Sequence, residues 1–288
     1  MAWYTANGRH ELPWRLTRDP YAVLVSEVML QQTQVDRVLP YYRRWLERWP
    51  TVEALAAATP GDVIREWAGL GYNRRALSLQ RLAVEVSTHF GGAIPDDFAA
   101  LRTLPGVGPY TAAAVASFAF EQSVPVADTN IARAVARVGL GVASQKLAAP
   151  LALLAETAAW LPAAGVRDHN LALMDLGAIV CRARAPSCDA CPLAEVCRWR
   201  GAGFPAADAP LVRAAAPFEH TARFARGRIV DALRAGPVLT EFELAALLPE
   251  RHAAQLAGYL AALERDGLIA RAADGVWALP GDEHGSGQ

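Results

Sequence analysis

The chain has 288 residues, of which 53% are hydrophobic and 20% charged, and its formal net charge is −1. That balance excludes a disordered chain and provides enough apolar residues for one large or two modest domains with a sizeable core. The opening MAWYTANGRHELPWR carries Arg9, His10 and Glu11 where a signal peptide needs an apolar run, and no apolar stretch is long enough to cross a bilayer, so a cytoplasmic protein is expected.

Residues 20 to 200 read as a succession of helices with Pro and Gly punctuation between them. PYAVLVSEVMLQQTQV is apolar on nearly every side of a 3.6-residue helix, which predicts a buried helix, yet Glu27 stands in its middle. A carboxylate there is costly unless it is used or paired. The stretch from Thr51 to Phe90 predicts two or three more helices, with Gly69 and Gly71 interrupting the run just before Tyr72. DDFAALRTLPGVGPYTAAAVASFAF then predicts a helix ending at Leu104, a turn through Pro105-Gly106-Val107-Gly108, and a second helix with Pro109 in its first turn. Two glycines let the turn adopt φ > 0 and approach a ligand, with amides pointing outward as anion donors; an ordinary αα corner is the plainer alternative. Asp128, in PVADTNIARAVARVG, falls at a helix start, where it suits an N-cap.

All four cysteines, Cys181, Cys188, Cys191 and Cys197, lie in CRARAPSCDACPLAEVC, with six, two and five residues between them. In a reducing compartment such clustered thiols hold a metal more often than they form disulfides, and no structural disulfide is expected. A structural zinc site usually pairs two C-x2-C knuckles; here a single knuckle is flanked by lone cysteines, which fits a [4Fe-4S] cluster better, with zinc as the alternative. Arg182, Arg184, Arg198 and Arg200 form a cationic rim that either meets phosphate or offsets the charge of a thiolate-bound cluster. The first 81 residues hold eleven arginines, whereas Lys146 is the chain's single lysine.

GAGFPAADAPLVRAAAP reads as a Pro- and Ala-rich linker, placing a boundary near residues 201–217. Beyond it, three helical stretches, one opening with a Thr240-to-Glu243 capping box, precede two short strands around Asp274-Gly275. Residues 218–282 therefore predict a winged-helix-like C-terminal domain following a core at residues 1–200. The polar end, residues 283–288, is expected to fray.

Taken together, WYTANGRHELPWR, SEVMLQQTQV, GLGYNRRA, LPGVGPYTA, DTN, LMDLGAIVC and the cysteine loop resemble the helix-hairpin-helix DNA glycosylases of the iron–sulfur branch, and within it the adenine DNA glycosylases of the MutY type, over roughly residues 3 to 200. The resemblance implies an all-α, two-lobed core with a [4Fe-4S] loop, binding mismatch-containing double-stranded DNA across a cleft and swinging a base out of the stack. It makes Glu27 the general acid that protonates N7 of a purine and later activates water, and Asp128 the carboxylate that shelters the cationic sugar. Further roles follow from it: Tyr110 in the pocket, Asn130 near the sugar, Gln32 and Tyr72 wedged into the stack, Leu30 filling the gap, and Gly106 and Gly108 on phosphate.

Relatives that also break the strand use a lysine beside the hairpin. Tyr110 stands in that neighbourhood here and Lys146 is far from it in sequence, so a monofunctional glycosylase is expected, with Lys146 on a solvated face. Two departures bear on base choice: Thr129 replaces the glycine many relatives carry in DTN, and Leu171 replaces a residue able to contact adenine. The tail, about seventy residues, is too short for the Nudix-like domain with which many MutY enzymes inspect 8-oxoguanine, though Arg223, Arg226 and Arg228 are placed to touch DNA. The expected activity is excision of adenine opposite 8-oxoguanine or G by a nucleoid-associated monomer that leaves an abasic site. Removal of mismatched T or U, or DNA binding without catalysis, are the alternatives; the pairing of Glu27 with Asp128 argues against a pure binder.

Overall fold

The computed structural model describes residues 1–205, 216–236, 238–272 and 274–282. Most of the predicted linker and all of the tail at residues 283–288 lie outside the described residues. The helices run in order α1 Ala2–Asn7, α2 Pro20–Leu30, α3 Val35–Arg48, α4 Val52–Ala56, α5 Pro60–Glu66, α6 Arg74–His89, α7 Phe98–Thr103, α8 Pro109–Phe118, α9 Thr129–Val138, α10 Pro150–Ala159, α11 Val166–Asp175, α12 Arg198–Gly201, α13 Ala222–Ala235, α14 Glu241–Ala246, α15 Glu250–Ala253 and α16 Leu256–Arg265. Two strands, β1 Ala270–Arg271 and β2 Trp277–Ala278, pair antiparallel, and Leu239 bridges to Trp277 beside them. The protein is thus mainly α.

Two compact units divide the chain. The first takes Met1–Glu27, Pro95–Thr103 and residues 107–205; the second takes Val28–Ile94, Leu104–Gly106 and the described residues from 216 onward.

In the first unit, α8 is buried from Thr111 to Phe118, and its alanines let neighbouring backbones approach closely. The segment before α2 is stitched to α11 by charge. The Asp175 carboxylate, fully buried, accepts two bonds from Arg15 at 2.5 and 2.8 Å and others from the backbone and side chain of Arg9 at 2.9 and 2.7 Å. Burial alone pushes this carboxyl up; Arg15 and Arg9 outweigh it and hold the group below its usual range. Arg167 adds bonds from α11 to the carbonyls of Arg15 and Thr17 at 2.7 and 3.0 Å.

The second unit is built on α3, whose buried Val38, Tyr42 and Trp45 recur at helical spacing, with Trp45 edge-on to Trp49 and Trp67 at 4.7 and 5.4 Å. The C-terminal helices share a second cluster with α5 and α6: Ile64 and Leu77 are buried among Ile229, Leu233, Leu244 and Leu260. Arg234 of α13 donates to the carbonyl of Ile64 at 2.9 Å and to Asn73 at 2.9 Å.

Three local departures from the sequence reading have physical causes. The apolar run opening at Pro20 does not continue as helix through Gln34 but stops at Leu30, because Gln32 adopts φ 55 and Arg75 collects the last carbonyls, those of Val28, Met29 and Gln31, at 2.9, 3.1 and 2.6 Å. The third C-terminal helix is split into α15 and α16, with His252 drawn inward to the Tyr259 hydroxyl and the Glu219 carbonyl, both at 2.9 Å. In the hairpin turn only Gly106 takes positive φ, +79; Gly108 is extended at φ −84, ψ 175 and N-caps α8. A Cβ at Gly106 would lie 2.6 Å from that of Ser78, so both conformation and space demand glycine there.

Candidate active site

The first unit gathers Glu27, Tyr110, Asp128 and Asn130. The middle of α2 carries Glu27 into an environment of apolar residues, leaving it 5% exposed. Tyr110, at the second position of α8, donates its hydroxyl to Glu27 Oε2 at 2.7 Å. Burial drives the Glu27 carboxyl up to about 7, aided by the negative Asp128; the Tyr110 bond and the charge of Arg15 oppose the rise. The Tyr110 phenol is pushed well above its ordinary value by burial and by the two carboxylates, so it remains a donor at neutral pH.

Asp128 N-caps α9 by accepting the Ile131 N–H at 2.6 Å, and Asn130 Nδ2 donates to its other oxygen at 2.9 Å. Burial raises its carboxyl; the bonds from Ile131 and Asn130 and the charge of Arg133 pull the other way. The two carboxyls therefore differ in what surrounds them: Glu27 has one phenol donor and apolar walls, Asp128 a ring of N–H donors.

Sequence reasoning missed the support behind Asp128. Arg133, one turn along α9, donates to Asn130 Oδ1 at 2.9 Å, to the Gly177 carbonyl at 2.7 Å and to the Cys181 carbonyl at 2.7 Å. An unbroken chain of hydrogen bonds thus joins the first cysteine's backbone to the Asp128 carboxylate. Gly177 sits in a π-turn, Leu176–Val180, against α9; a Cβ there would lie 2.5 Å from the Asn130 carbonyl oxygen. The available signal was an arginine pair four apart, Arg133 and Arg137, in the otherwise apolar run from Ile131 to Val138; the structure buries both.

The four cysteines line one small apolar cavity together with Arg137, Val180, Pro186 and Trp199. Arg137 stacks over the Trp199 ring at 4.5 Å, approaches Cys181 Sγ at 3.5 Å and donates to the Arg182 carbonyl at 2.8 Å. Among the described residues no three His, Cys, Asp or Glu side chains are close enough together to hold a single ion. A four-iron cluster is a larger body and keeps its thiolates further apart than one ion does, so a shared, apolar cavity with an arginine donor suits it.

The remaining predicted residues fall as follows. Gly108, in the first unit, has open space where a side chain would be. In the second unit, Gln32 is exposed, Leu30 half-buried, Tyr72 40% exposed with φ 49, and Gly106 packs on Ser78. Gln32 and Tyr72 line one cavity. Leu171 is buried in α11, Thr129 is exposed at the first turn of α9, and Lys146 is exposed in the short turn Gln145–Leu147.

A hairpin between two helices, followed by an aspartate-capped helix in a mainly α scaffold, defines a class of base excision proteins: residues 25–154 match the family model described as HhH-GPD superfamily base excision DNA repair protein. A solved structure of a thermostable thymine-DNA glycosylase superposes with a TM-score of 0.64 at 31% identity, covering 69% of this chain and 93% of that one. Adenine DNA glycosylase of Mycobacterium tuberculosis is 45% identical over 98% of this chain and 92% of its own length, and that of Mycolicibacterium smegmatis 43% identical over 98% and 95%. The chain belongs to the adenine DNA glycosylase family.

Proposed function

We propose that the protein is an adenine DNA N-glycosylase of base excision repair, in which Glu27 and Asp128 act on an extruded adenine. The observation that carries this reading is the buried Glu27, held near pKa 7 and bonded to Tyr110, within the electrostatic reach of a carboxylate that N–H donors surround. Protonated Glu27 gives its proton to N7; the C1′–N9 bond breaks, its electron pair going to N9, and adenine departs neutral. Asp128, ionised, shelters the cationic C1′ or bonds to it transiently, with Asn130 holding its second oxygen. Water then adds at C1′ and loses a proton to the Glu27 carboxylate, which restores the acid. Tyr110 keeps Glu27 oriented, and the hairpin with Gly106 and Gly108 grips the backbone of mismatch-containing duplex DNA, whose stack Gln32, Tyr72 and Leu30 enter.

Tyr110 occupies the position from which a lysine would form a Schiff base, and Lys146 lies exposed in its own turn, which supports excision without strand cleavage. Cys181, Cys188, Cys191 and Cys197 would hold a [4Fe-4S] cluster, which supplies a one-electron centre and a cross-link closing residues 181–197 into a rigid loop. Residues 1–200 serve as the glycosylase core and residues 218–282 as a winged-helix-like module. No helix among the described residues is long and apolar enough to cross a membrane. The reading is of a cytoplasmic, nucleoid-associated monomer.

The test uses duplexes carrying A, T or U opposite 8-oxoguanine or G. Expected is alkali-dependent nicking at A only, lost in Glu27→Gln; nicking at T or U alone, or an unimpaired variant, overturns the reading, and alkali-independent nicking overturns the monofunctional part. Iron and acid-labile sulfide in equal amounts, both lost in Cys188→Ser, test the cluster against zinc.

A further inference from the structure

The second unit contains a cavity of about 690 Å³ whose wall combines Gln32, Tyr72 and Arg74 with Phe218, Arg223 and Arg226 from the C-terminal segment. Most arginines around it are already committed. Arg75 spends its donors on backbone carbonyls, Arg37 on the Gly69 carbonyl, Arg234 on Ile64 and Asp231, and Arg226 on Asp266. Arg223 is different. It is exposed, it forms no ion pair with a carboxylate among the described residues, and its partners are aromatic: Nη1 donates to the Tyr72 hydroxyl at 2.6 Å, and the guanidinium lies 4.2 Å from the Tyr72 ring centre and 5.4 Å from that of Phe218. A guanidinium has five N–H donors in a planar fork, so stacking engages its face while edge donors stay available.

Tyr72 is unusual in the same place. It holds φ 49, a strained conformation for a bulky side chain that persists only where the surroundings impose it. The turn glycines Gly69 and Gly71, and Arg75 lying 5.4 Å from the ring, fix it at the cavity rim, where the residue is 40% exposed. An uncompensated arginine interleaved with exposed aromatic faces is the surface that single-stranded or unstacked nucleic acid fits: the rings stack on a base and the guanidinium takes the adjoining phosphate bidentately. Charge selects an anionic partner, and the planar faces select a base over a bare anion.

We propose that Arg223, carried by α13, forms with Tyr72 and Phe218 a composite clamp for a DNA backbone phosphate and the face of its unstacked neighbouring base. The C-terminal module is then a DNA-reading part of the enzyme and not merely packing for the second unit. The proposal rests on the glycosylase reading for its ligand.

Its test is a binding measurement that needs no turnover. Full-length wild type, Arg223→Ala, Arg223→Lys and Arg251→Ala are titrated, across a salt series, against a duplex with a non-cleavable abasic analogue opposite 8-oxoguanine and 2-aminopurine beside it. Arg251 lies on α15 outside the cavity and removes the same charge from the same module. Arg223→Ala is expected to weaken binding on the order of tenfold, to reduce the slope of log Kd against log salt by about 1, and to diminish the 2-aminopurine unstacking signal. Arg223→Lys restores the salt slope but not the unstacking signal, since an ammonium does not stack as a plane. Equal losses in Arg223→Ala and Arg251→Ala, or unchanged binding in Arg223→Ala, overturn the clamp. Wild type that binds this duplex but excises no adenine overturns the glycosylase reading and leaves the clamp standing.

Discussion

At Glu27, burial and hydrogen bonding pull in opposite directions, and burial wins. In the proposed role it is the acid form that protonates the purine, so single-turnover excision should fall as pH rises through about 7. Tyr110 lowers that value by donating to Oε2, so Tyr110→Phe is expected to move the alkaline limb to higher pH while reducing the rate; a pH profile shifted downward would contradict the assignment. Stability follows the same linkage. The folded carboxyl titrates near 7 and the unfolded one near 4.5, so its neutral form stabilises the fold below pH 4.5, and that contribution is lost as pH rises through 7. Glu27→Gln should therefore gain roughly 3 kcal/mol on the wild type between acidic and alkaline pH, read by denaturant melts, while excision drops by about 10² or more. A carboxyl that strains its own fold is what the proposed role of Glu27 entails.

Among the elements, α9 and the hairpin carry the sharpest contrasts. Arg133 satisfies Asn130, the Gly177 carbonyl and the Cys181 carbonyl together, so Arg133→Leu strands three acceptors; a stability loss of roughly 3 kcal/mol is expected, with excision reduced through the loosened Asp128. Asn130→Ala should cost less stability but a similar fraction of activity, a split that chemical denaturation and single-turnover kinetics would reveal. In the hairpin, Gly106→Ala meets both a left-handed backbone and Ser78, and about 1–2 kcal/mol of stability should be lost. Gly108→Ala meets neither, so melting should be unchanged; weakened binding to duplex DNA would then report a phosphate approaching that open position. What was readable in these elements was local: the N-cap aspartate, the Pro109 helix start and the Thr240 to Glu243 capping box each depend on residues within four positions. The end of α2 was not readable, because the arginine that takes its carbonyls stands more than forty residues away. Nor was the π-turn at Gly177, whose reason is the close approach of another helix.

For the molecule as a whole, composition and periodicity forecast a mainly α protein, and seven short motifs taken together pointed to its family. The assignment of segments to the two units is not read from periodicity, which marks which face of a helix is apolar and not which core receives it. Ile64 and Leu77 looked like part of the first two hundred residues' own packing, yet they are buried among residues of α13, α14 and α16. The charge clasp was hidden too: Arg9, Arg15 and Asp175 look like ordinary surface ions until 160 or more residues of chain bring them together.

That clasp sets a clock for biosynthesis. A ribosome adding residues at its usual pace needs on the order of ten seconds to travel from Arg15 to Asp175. Throughout that interval the nascent amino-terminal segment has its cations but not the anion that will anchor them, and the first eight residues of α2, Glu27 among them, have no completed core to enter. Folding of the first unit therefore ends where its translation ends, and residues 1–27, made before the rest of that unit, are among the last to be locked.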